Sequence, residues 1–233
     1  NMSQYAQMIR QLKTPEVMKR LNTLYGQREG MMVAQTTRYT ALLKRHEDLF
    51  NTSGPVYMIS APGRTEISGN HTDHNRGKVL TAAVNLDTVA AVSPREDGVV
   101  NVHSEGYPAI SISLDDLAAR EDEKNTTAAL IRGVAYKLQE EGYKIGGFDA
   151  AVTSTVRGGS GLSSSAAFEV MLCAIFDELY NQGTLDYKHR AKISQFAENV
   201  YFGKPSGLLD QLTSAVGGII FADFADPRTP KIE

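Results

Sequence analysis

Hydrophobic residues in the first fifty positions recur every three or four residues, a spacing that predicts amphipathic helices. Thr14 offers a capping hydroxyl, Pro15 is preset for a first helical turn, and Gly26 is a typical helix stop. Between them lies an apolar stripe formed by Val17, Leu21, Leu24 and Tyr25. A second helix is expected over residues 37–50. These patterns predict a helical N-terminal extension over residues 2–54.

After residue 55 the pattern changes to shorter runs that are rich in β-branched residues. Strands are predicted at residues 56–60, 79–92, 148–156 and 218–224. Residues 99–103 and 109–114 alternate apolar and polar around a turn sequence, which predicts a hairpin. Helices are predicted at residues 126–141, 165–180, 186–202 and 207–216. This mixture indicates an α+β or α/β class.

Composition narrows the function classes without naming one. The chain has 233 residues, of which 42% are hydrophobic and 22% charged, with a formal net charge of −3. The single Cys173 excludes a disulfide framework and a cysteine-based zinc site. The near-neutral charge gives no reason to expect a nucleic-acid or membrane partner, and we find no apolar run of membrane-spanning length. A cytoplasmic location is the expectation.

A glycine-rich segment at residues 157–167 lies between a predicted strand and a predicted helix. Its glycines allow the backbone to approach a ligand closely, and a helix N-terminus offers unpaired N–H groups and a positive dipole end. The segment is therefore expected to bind phosphate. It is not a Walker A loop, a dinucleotide-binding fingerprint or a nucleophile elbow. An ordinary capped turn is the alternative.

A second segment at residues 61–75 concentrates polar side chains just after an apolar strand. A metal site would use His71, Asp73 and His74, although no further cluster completes a ligand shell. A solvated loop is another interpretation. A loop that binds sugar hydroxyls suits the mixture of acids, amides and Arg64 better.

A third segment at residues 198–211 contains two acids in different settings. Glu198 stands near the end of a predicted helix, and Asp210 stands in the first turn of the next one within an apolar run. An acid in a first turn also stabilises the helix dipole, so the position of Asp210 alone does not decide between structure and chemistry.

Together the three segments resemble, in order and spacing, the signatures of the GHMP small-molecule kinases, and among these the galactokinases. The Gly-Leu-Ser-Ser-Ser-Ala of their phosphate loop stands unchanged at residues 161–166. Their sugar signature corresponds to residues 63–75, and their Gly-x-Pro-Cys-Gly-Ile-Met-Asp-Gln to residues 203–211. The resemblance implies an α+β fold over residues 55–233. This is the GHMP kinase N-terminal domain, ribosomal protein S5 domain 2-like, a mixed sheet packed with helices.

The resemblance also implies the ligands and the residues that bind them. ATP and Mg²⁺ are the expected cofactors, and a sugar is the expected partner. The ATP phosphates would be bound by Gly158, Gly159, Ser160, Gly161, Leu162, Ser163, Ser164 and Ser165. Mg²⁺ would be held by Ser165 and Glu198. Asp210, with Arg64 close by, would act at the sugar C1 hydroxyl as general base or electrostatic positioner. The sugar contacts would be Glu66, Asn70, His71 and Asp73.

Departures from the family signatures leave the substrate open. Asn70 replaces a glutamate, His74 a tyrosine, Glu66 an asparagine and Arg157 a proline, and a tryptophan that commonly lines the adenine pocket is replaced near Thr127. Losing the glutamate weakens a hydrogen bond to a neutral sugar and removes repulsion against an acidic one. Galactose is the first expectation; galacturonate, N-acetylgalactosamine and arabinose are alternatives. A galactokinase-like sugar sensor without turnover is the alternative from another class.

Galactokinases are longer chains. Their active site lies between the half that this chain resembles and a second half, which carries another glycine-rich motif. No such motif follows Asp210. The resemblance therefore implies that a C-terminal ferredoxin-like domain is missing and that this chain alone has weak or no activity. Surface left bare in this way would favour self-association.

Overall fold

The computed structural model describes residues 3–68, 78–155, 164–216, 219–223 and 231–232. The helices in this part of the chain are α1 (Gln4–Gln11), α2 (Pro15–Tyr25), α3 (Met31–Phe50), α4 (Thr127–Glu140), α5 (Ser164–Tyr180), α6 (Tyr187–Phe196) and α7 (Leu209–Val216). A 3-10 turn at Glu121–Glu123 precedes α4, and a π-helical turn at Ala197–Phe202 continues α6.

Seven strands of the described residues form one mixed sheet in the order β4-β3-β5-β2-β6-β7, with β1 also paired to β2. They are β1 (Tyr57–Ser68), β2 (Lys78–Pro94), β3 (Val99–Ser104), β4 (Ile110–Ser113), β5 (Phe148–Ser154), β6 (Ile219–Asp223) and β7 (Lys231–Ile232). β3 and β5 are parallel, and the other pairs are antiparallel. The predicted α+β class and the predicted hairpin of β3 and β4 are confirmed.

The bounds of α2 follow the local signals, although the Thr14 hydroxyl donates to the Gln11 carbonyl instead of capping the helix. α2 begins at Pro15 and ends before Gly26, which has a φ of 82°. α3 was expected from residue 37, and this was wrong because the helix begins at Met31. Gly30 adopts a φ of 76°, a backbone conformation that glycine takes without steric cost, so the chain turns directly into the helix there. The long apolar segment around residue 85 forms one 17-residue strand.

Helices cover both faces of the sheet, which explains why its central strands are apolar almost throughout. Along β2, Ala90 and Val92 pack into one core while Val89 and Ala91 pack into the other, because successive side chains point to opposite faces. The first core lies against α4, α5 and α6, and the second lies against α1, α2 and α3. The helical N-terminal segment is thus packed on the sheet. Its boundary as a separate unit at residue 54 stays a prediction.

β2 pairs with different strands along its length, so the sheet branches at this strand. One of its edges pairs with β1, while the other pairs with β5 over residues 88–94 and with β6 over residues 78–82. Asp87 lies between these two stretches, and its backbone carbonyl accepts a hydrogen bond of 2.9 Å from the backbone N–H of Thr155 at the end of β5. The branch point therefore lies where the chain leaves β5 toward the glycine-rich segment.

Asp87 also ties the helical N-terminal segment to the sheet. Its carboxylate is buried and accepts hydrogen bonds from Tyr25 at 2.5 Å, from Ser60 at 2.5 Å and from Arg38 at 2.5 Å. Arg38 donates a further bond of 3.1 Å to the Asp87 carbonyl, and the Tyr25 and Tyr39 hydroxyls lie 2.6 Å apart. We call these residues the Asp87 hub; they join α2, α3, β1 and β2.

Within the ranges that the structure describes, we find no helix with the length and apolar character needed to span a membrane. The expected cytoplasmic location stays a prediction.

Candidate active site

The glycine-rich segment leads directly into α5, whose first turn lies beside a buried acid. Ser165 stands in that turn, and its hydroxyl donates a hydrogen bond of 3.2 Å to Glu198 Oε1. A helix N-terminus with a free hydroxyl and unpaired N–H groups is a suitable place for phosphate. The structure thus brings together the two residues expected to hold Mg²⁺.

Glu198 is carried by the π-helical turn at Ala197–Phe202, a type of irregularity that is frequent at functional sites. The residue is 3% exposed. Glu198 Oε2 accepts hydrogen bonds from the Ser206 hydroxyl at 3.2 Å and from the Gln211 amide at 2.5 Å. Lys204 Nζ lies 4.0 Å from Oε1, with most of its side chain in solvent. A buried carboxylate is therefore surrounded by neutral donors and one distant cation.

A second buried acid lies behind the first. Glu169 stands one helical turn after Ser165 in α5 and is fully buried, and its Oε2 accepts a hydrogen bond of 3.1 Å from the amide of Gln211. Within the described part of the chain, Glu169 Oε1 and Gln211 Oε1 are buried without a hydrogen-bond partner. Such unpaired buried oxygens are uncommon, so each needs an explanation.

Electrostatics place Asp210 in the same cluster. Burial, followed by the charge of Glu198, raises the pKa of Glu169 well above its usual value, and the charge of Asp210 adds to this. Burial also raises the pKa of Glu198, while Lys204 and the two serine hydroxyls oppose the shift. Asp210 itself is half-buried in the first turn of α7, next to Gln211. The three acids are therefore near enough for the charge of each to affect the others.

α7 also reaches the segment expected to bind sugar. The Ser214 hydroxyl donates a hydrogen bond of 2.6 Å to the carbonyl of Pro62 in β1. The backbone of Arg64 and Glu66 continues β1 beyond this contact. Three parts of the chain thus meet on one side of the sheet. They are the start of the segment at residues 61–75, helix α5 after the glycine-rich segment, and residues 198–211.

A cavity of about 620 Å³ opens next to Ser165. Its wall combines aromatic and polar side chains, among them Tyr107, Asn125, Thr127, Phe168 and Phe202. This volume lies in the usual range for small-molecule sites, which are mostly apolar with a few polar groups. Thr127, where the resemblance implied a replaced tryptophan, stands in this wall.

Several expected site residues cannot be placed by this structure. Asn70, His71 and Asp73, and with them residues 158–163 of the glycine-rich segment, lie outside the described residues. The side chains of Arg64, Glu66 and Ser164 also fall outside that part of the chain. Their proposed contacts with sugar and phosphate stay predictions.

The sequence reasoning missed Glu169, and it quoted Ser206 and Gln211 only as part of a motif. A signal for Glu169 was present, since it is an acid four residues after Ser165, within the apolar stretch of residues 166–176. In a helix this spacing places both residues on one face. The contacts of Gln211 join residues 13 and 42 positions away, which local patterns do not predict.

The chain matches two family descriptions. Residues 44–94 match the galactokinase galactose-binding signature, and residues 129–218 match the GHMP kinases N-terminal domain.

Individual relatives agree with these matches. The chain is 39% identical over 188 residues to galactokinase from Streptomyces coelicolor and 36% identical over 177 residues to galactokinase from Clostridium tetani. These matches cover 78% and 76% of this chain, and 48% and 45% of the relatives. The crystal structure of Lactococcus lactis galactokinase complexed with galactose superposes with a TM-score of 0.77 at 28% identity, covering 84% of this chain and 51% of that one. The chain thus spans about half the length of the relatives it matches.

The resemblance inferred from the three motifs is confirmed by both family matches, by the relatives and by the superposition. The chain belongs to the GHMP kinase superfamily, as a galactokinase-like N-terminal domain.

Proposed function

We propose that the protein catalyses ATP-dependent phosphorylation of the C1 hydroxyl of galactose or a close relative. The observation that carries this proposal is the contact of Ser165 with buried Glu198, beside Asp210 in the first turn of α7. Phosphoryl transfer depends mainly on positioning and charge neutralisation, so a phosphate-binding helix end, a metal-binding carboxylate and a group near the attacking hydroxyl are its main requirements. The galactose-binding signature at residues 44–94 favours galactose as the first substrate to test.

The cavity beside Ser165 is suited to the nucleoside part of ATP. The Phe168 and Phe202 side chains and the Tyr107 ring offer apolar surface, and Asn125 and Thr127 offer hydrogen-bonding groups for a base or ribose. Its position next to the first turn of α5 would place the phosphates toward the glycine-rich segment. These features support ATP as the phosphoryl donor.

The oxygen donors at the site fit Mg²⁺. Ser165, Ser206 and Glu198 provide two hydroxyls and one carboxylate, which are hard ligands of the kind that Mg²⁺ prefers. In the described residues we find no group of three or more His, Cys, Asp or Glu that could hold a metal ion. Mg²⁺ sites commonly use one or two carboxylates and complete the shell with water and substrate phosphates. When bound there, Mg²⁺ would neutralise phosphate charge.

Asp210 is the candidate group for the attacking hydroxyl, which it would orient and whose proton it would accept. Arg64 would share the charge of the transferred group. Substitution of a general base typically lowers the rate by about 10²- to 10⁴-fold. Asp210→Asn separates a kinase from a sugar sensor, because a kinase loses turnover while it keeps nucleotide binding.

The test is ADP release by the full natural polypeptide that carries these residues, with galactose, galacturonate, N-acetylgalactosamine and arabinose as substrates. Release with one of these sugars, and its loss in Asp210→Asn, is the expected result. A rate with galacturonate far above that with galactose would move the assignment to an acidic sugar. No release with any of them, together with tight sugar binding by calorimetry, would support the sensor instead.

A further inference from the structure

The hydrogen bonds around Gln211 form a closed ring. The Ser165 hydroxyl donates to Glu198, the Gln211 amide donates to both Glu198 and Glu169, and one turn of α5 joins Glu169 back to Ser165. Gln211 and Glu169 are both fully buried. An amide group has two N–H donors, so Gln211 uses both of them to hold two acids at once.

The ring connects the three segments that the proposed reaction needs. Ser165 stands at the phosphate-binding end of α5, Glu198 stands on the π-helical turn, and Gln211 directly follows Asp210 in α7. α7 has only eight residues, so a side-chain anchor in its first turn fixes the backbone of Asp210 as well. The Ser214 contact to Pro62 holds the same helix on the sheet side.

The ring contains buried polar atoms that stability alone does not explain. Within the described residues, Glu169 Oε1 and Gln211 Oε1 have no hydrogen-bond partner although both are buried. Well-packed apolar residues of similar volume often replace buried polar or charged groups without loss of stability. Where a sequence keeps such local conflicts, a functional site is the usual place for them.

We infer that Glu169 and Gln211 are positioning residues, which hold Glu198 and the first turn of α7 in the geometry that metal binding and phosphoryl transfer require. This inference rests on the proposed function, because it assigns roles relative to the same site. Neither residue needs to touch a substrate. Glu169 acts on Gln211, and Gln211 acts on Glu198 directly and on Asp210 through the helix backbone.

The structure suggests a pair of substitutions that differ in what they preserve. Glu169→Gln keeps the shape and an oxygen that accepts the Gln211 N–H. Glu169→Leu keeps an approximate volume but leaves the Gln211 N–H without an acceptor. Gln211→Met removes the bridge from the other side. Glu178→Leu, an exposed position on the same helix, is the matched control.

The variants are compared in the full natural polypeptide by ADP release and by Mn²⁺ binding to its complex with a non-hydrolysable ATP analogue, measured by electron paramagnetic resonance. Loss of a residue that orients a metal ligand typically costs about 10- to 100-fold in affinity or activity. We expect such losses in both Mn²⁺ affinity and kcat for Glu169→Leu and Gln211→Met, with the sugar KM changed less. Glu169→Gln and Glu178→Leu are expected to remain close to the parent.

Unchanged Mn²⁺ affinity and kcat in folded Glu169→Leu or Gln211→Met would overturn the inference. A folded Glu169→Gln that loses activity would overturn it too, because the charge rather than the hydrogen-bonded shape would then be required. If neither bridge-breaking variant folds, Glu169→Gln alone decides. Failure of the proposed function has a different signature, since the unsubstituted protein would then release no ADP with any sugar.

Discussion

Two buried polar clusters, one on each side of the sheet, are built in opposite ways. In the Asp87 hub the carboxylate accepts three hydrogen bonds and is paired with Arg38. In the cluster of Glu169 and Glu198, the structure places two acids together with neutral donors, a largely exposed Lys204 at 4.0 Å and two unpaired oxygens. Within the described residues, Arg38 Nε in the hub is also buried without a hydrogen-bond partner, but the Asp87 carboxylate is fully hydrogen-bonded and ion-paired. The comparison teaches that a buried carboxylate paired with a close cation can serve stability, whereas buried acids with an unpaired oxygen and no close cation are suited to binding a ligand.

The largest expected effect is on stability and concerns the Asp87 hub. Asp87→Ala leaves the guanidinium of Arg38 without its partner, and breaking a buried ion pair in this way typically costs about 3–5 kcal/mol. Urea unfolding followed by circular dichroism measures the loss. The matched control is Asp97→Ala, which breaks the solvent-exposed pair of Asp97 with Arg95 and is expected to cost far less. Equal losses in the two variants would contradict the role assigned to the hub.

Glu198→Gln is expected to act in the opposite sense on the other side of the sheet. Burial raises the pKa of Glu198, so its charged form is disfavoured in the fold, and a neutral amide should leave the free energy of unfolding unchanged or raise it by about 1 kcal/mol. Activity should fall about 10- to 100-fold or more, because the carboxylate proposed to bind the metal is gone. Parallel urea unfolding and ADP-release assays test both parts. A marked loss of stability would contradict this and would show that Glu198 stabilises the fold, as Asp87 is expected to do.

Acidification should affect stability differently on the two sides of the sheet. His46 in α3 is buried against Tyr5, Ser93 and the carbonyl of Asp149, and burial lowers its pKa. The unfolded chain then binds the proton more readily, so the stability contributed by neutral His46 is present above about pH 6.5 and is lost as the pH falls below that value. The free energy of unfolding is expected to fall by about 1 kcal/mol for each tenfold difference in proton affinity between the unfolded and folded states. His46→Gln should flatten this part of the stability profile.

For Glu169 the change of stability with pH has the opposite sign. Its pKa is raised in the fold, so the folded state binds protons more readily than the unfolded chain, and this contribution to stability grows as the pH falls through the folded pKa. Glu169→Gln should remove that contribution while leaving the loss due to His46. Stability measured between pH 5 and pH 8 in the two single variants distinguishes the two contributions. Identical profiles in both would contradict this assignment.

The smallest expected effect comes from trimming the hub without breaking its ion pair. Tyr25→Phe removes one of the three hydrogen bonds to the Asp87 carboxylate and leaves Arg38 and Ser60 in place. Loss of one hydrogen bond of this kind typically costs about 1 kcal/mol. A loss as large as that of Asp87→Ala would mean that the hydrogen bonds of the Tyr25 hydroxyl, rather than the ion pair, hold the N-terminal helices. Thermal unfolding of both variants at pH 7 makes the comparison.

Local signals in the sequence predicted much of this fold. Pro15 and Gly26 bound α2 as expected, and Ser165 and Glu198, which the resemblance assigns to Mg²⁺, are hydrogen-bonded to each other. The start of α3 at Met31 was missed, since it depends on the positive φ of Gly30 rather than on apolar spacing.

The two buried clusters could not have been predicted in the same way. Asp87 contacts residues 49 and 62 positions earlier in the chain, and Gln211 contacts Glu169 from 42 positions away. Such pairs arise only when the strands and helices are packed, so hydrophobic periodicity carries no information about them. The sequence indicates which segments are polar, and the packed fold decides which polar groups meet.

The way β2 is shared also bears on how the molecule opens. Its residues 89–92 are fully buried, flanked by β1 and β5 and covered by helices on both faces. Amide hydrogens in this stretch should therefore exchange only through global opening. A nucleotide bound beside Ser165 would then slow deuterium uptake not only in α5 but also in α2 and α3, which it never touches.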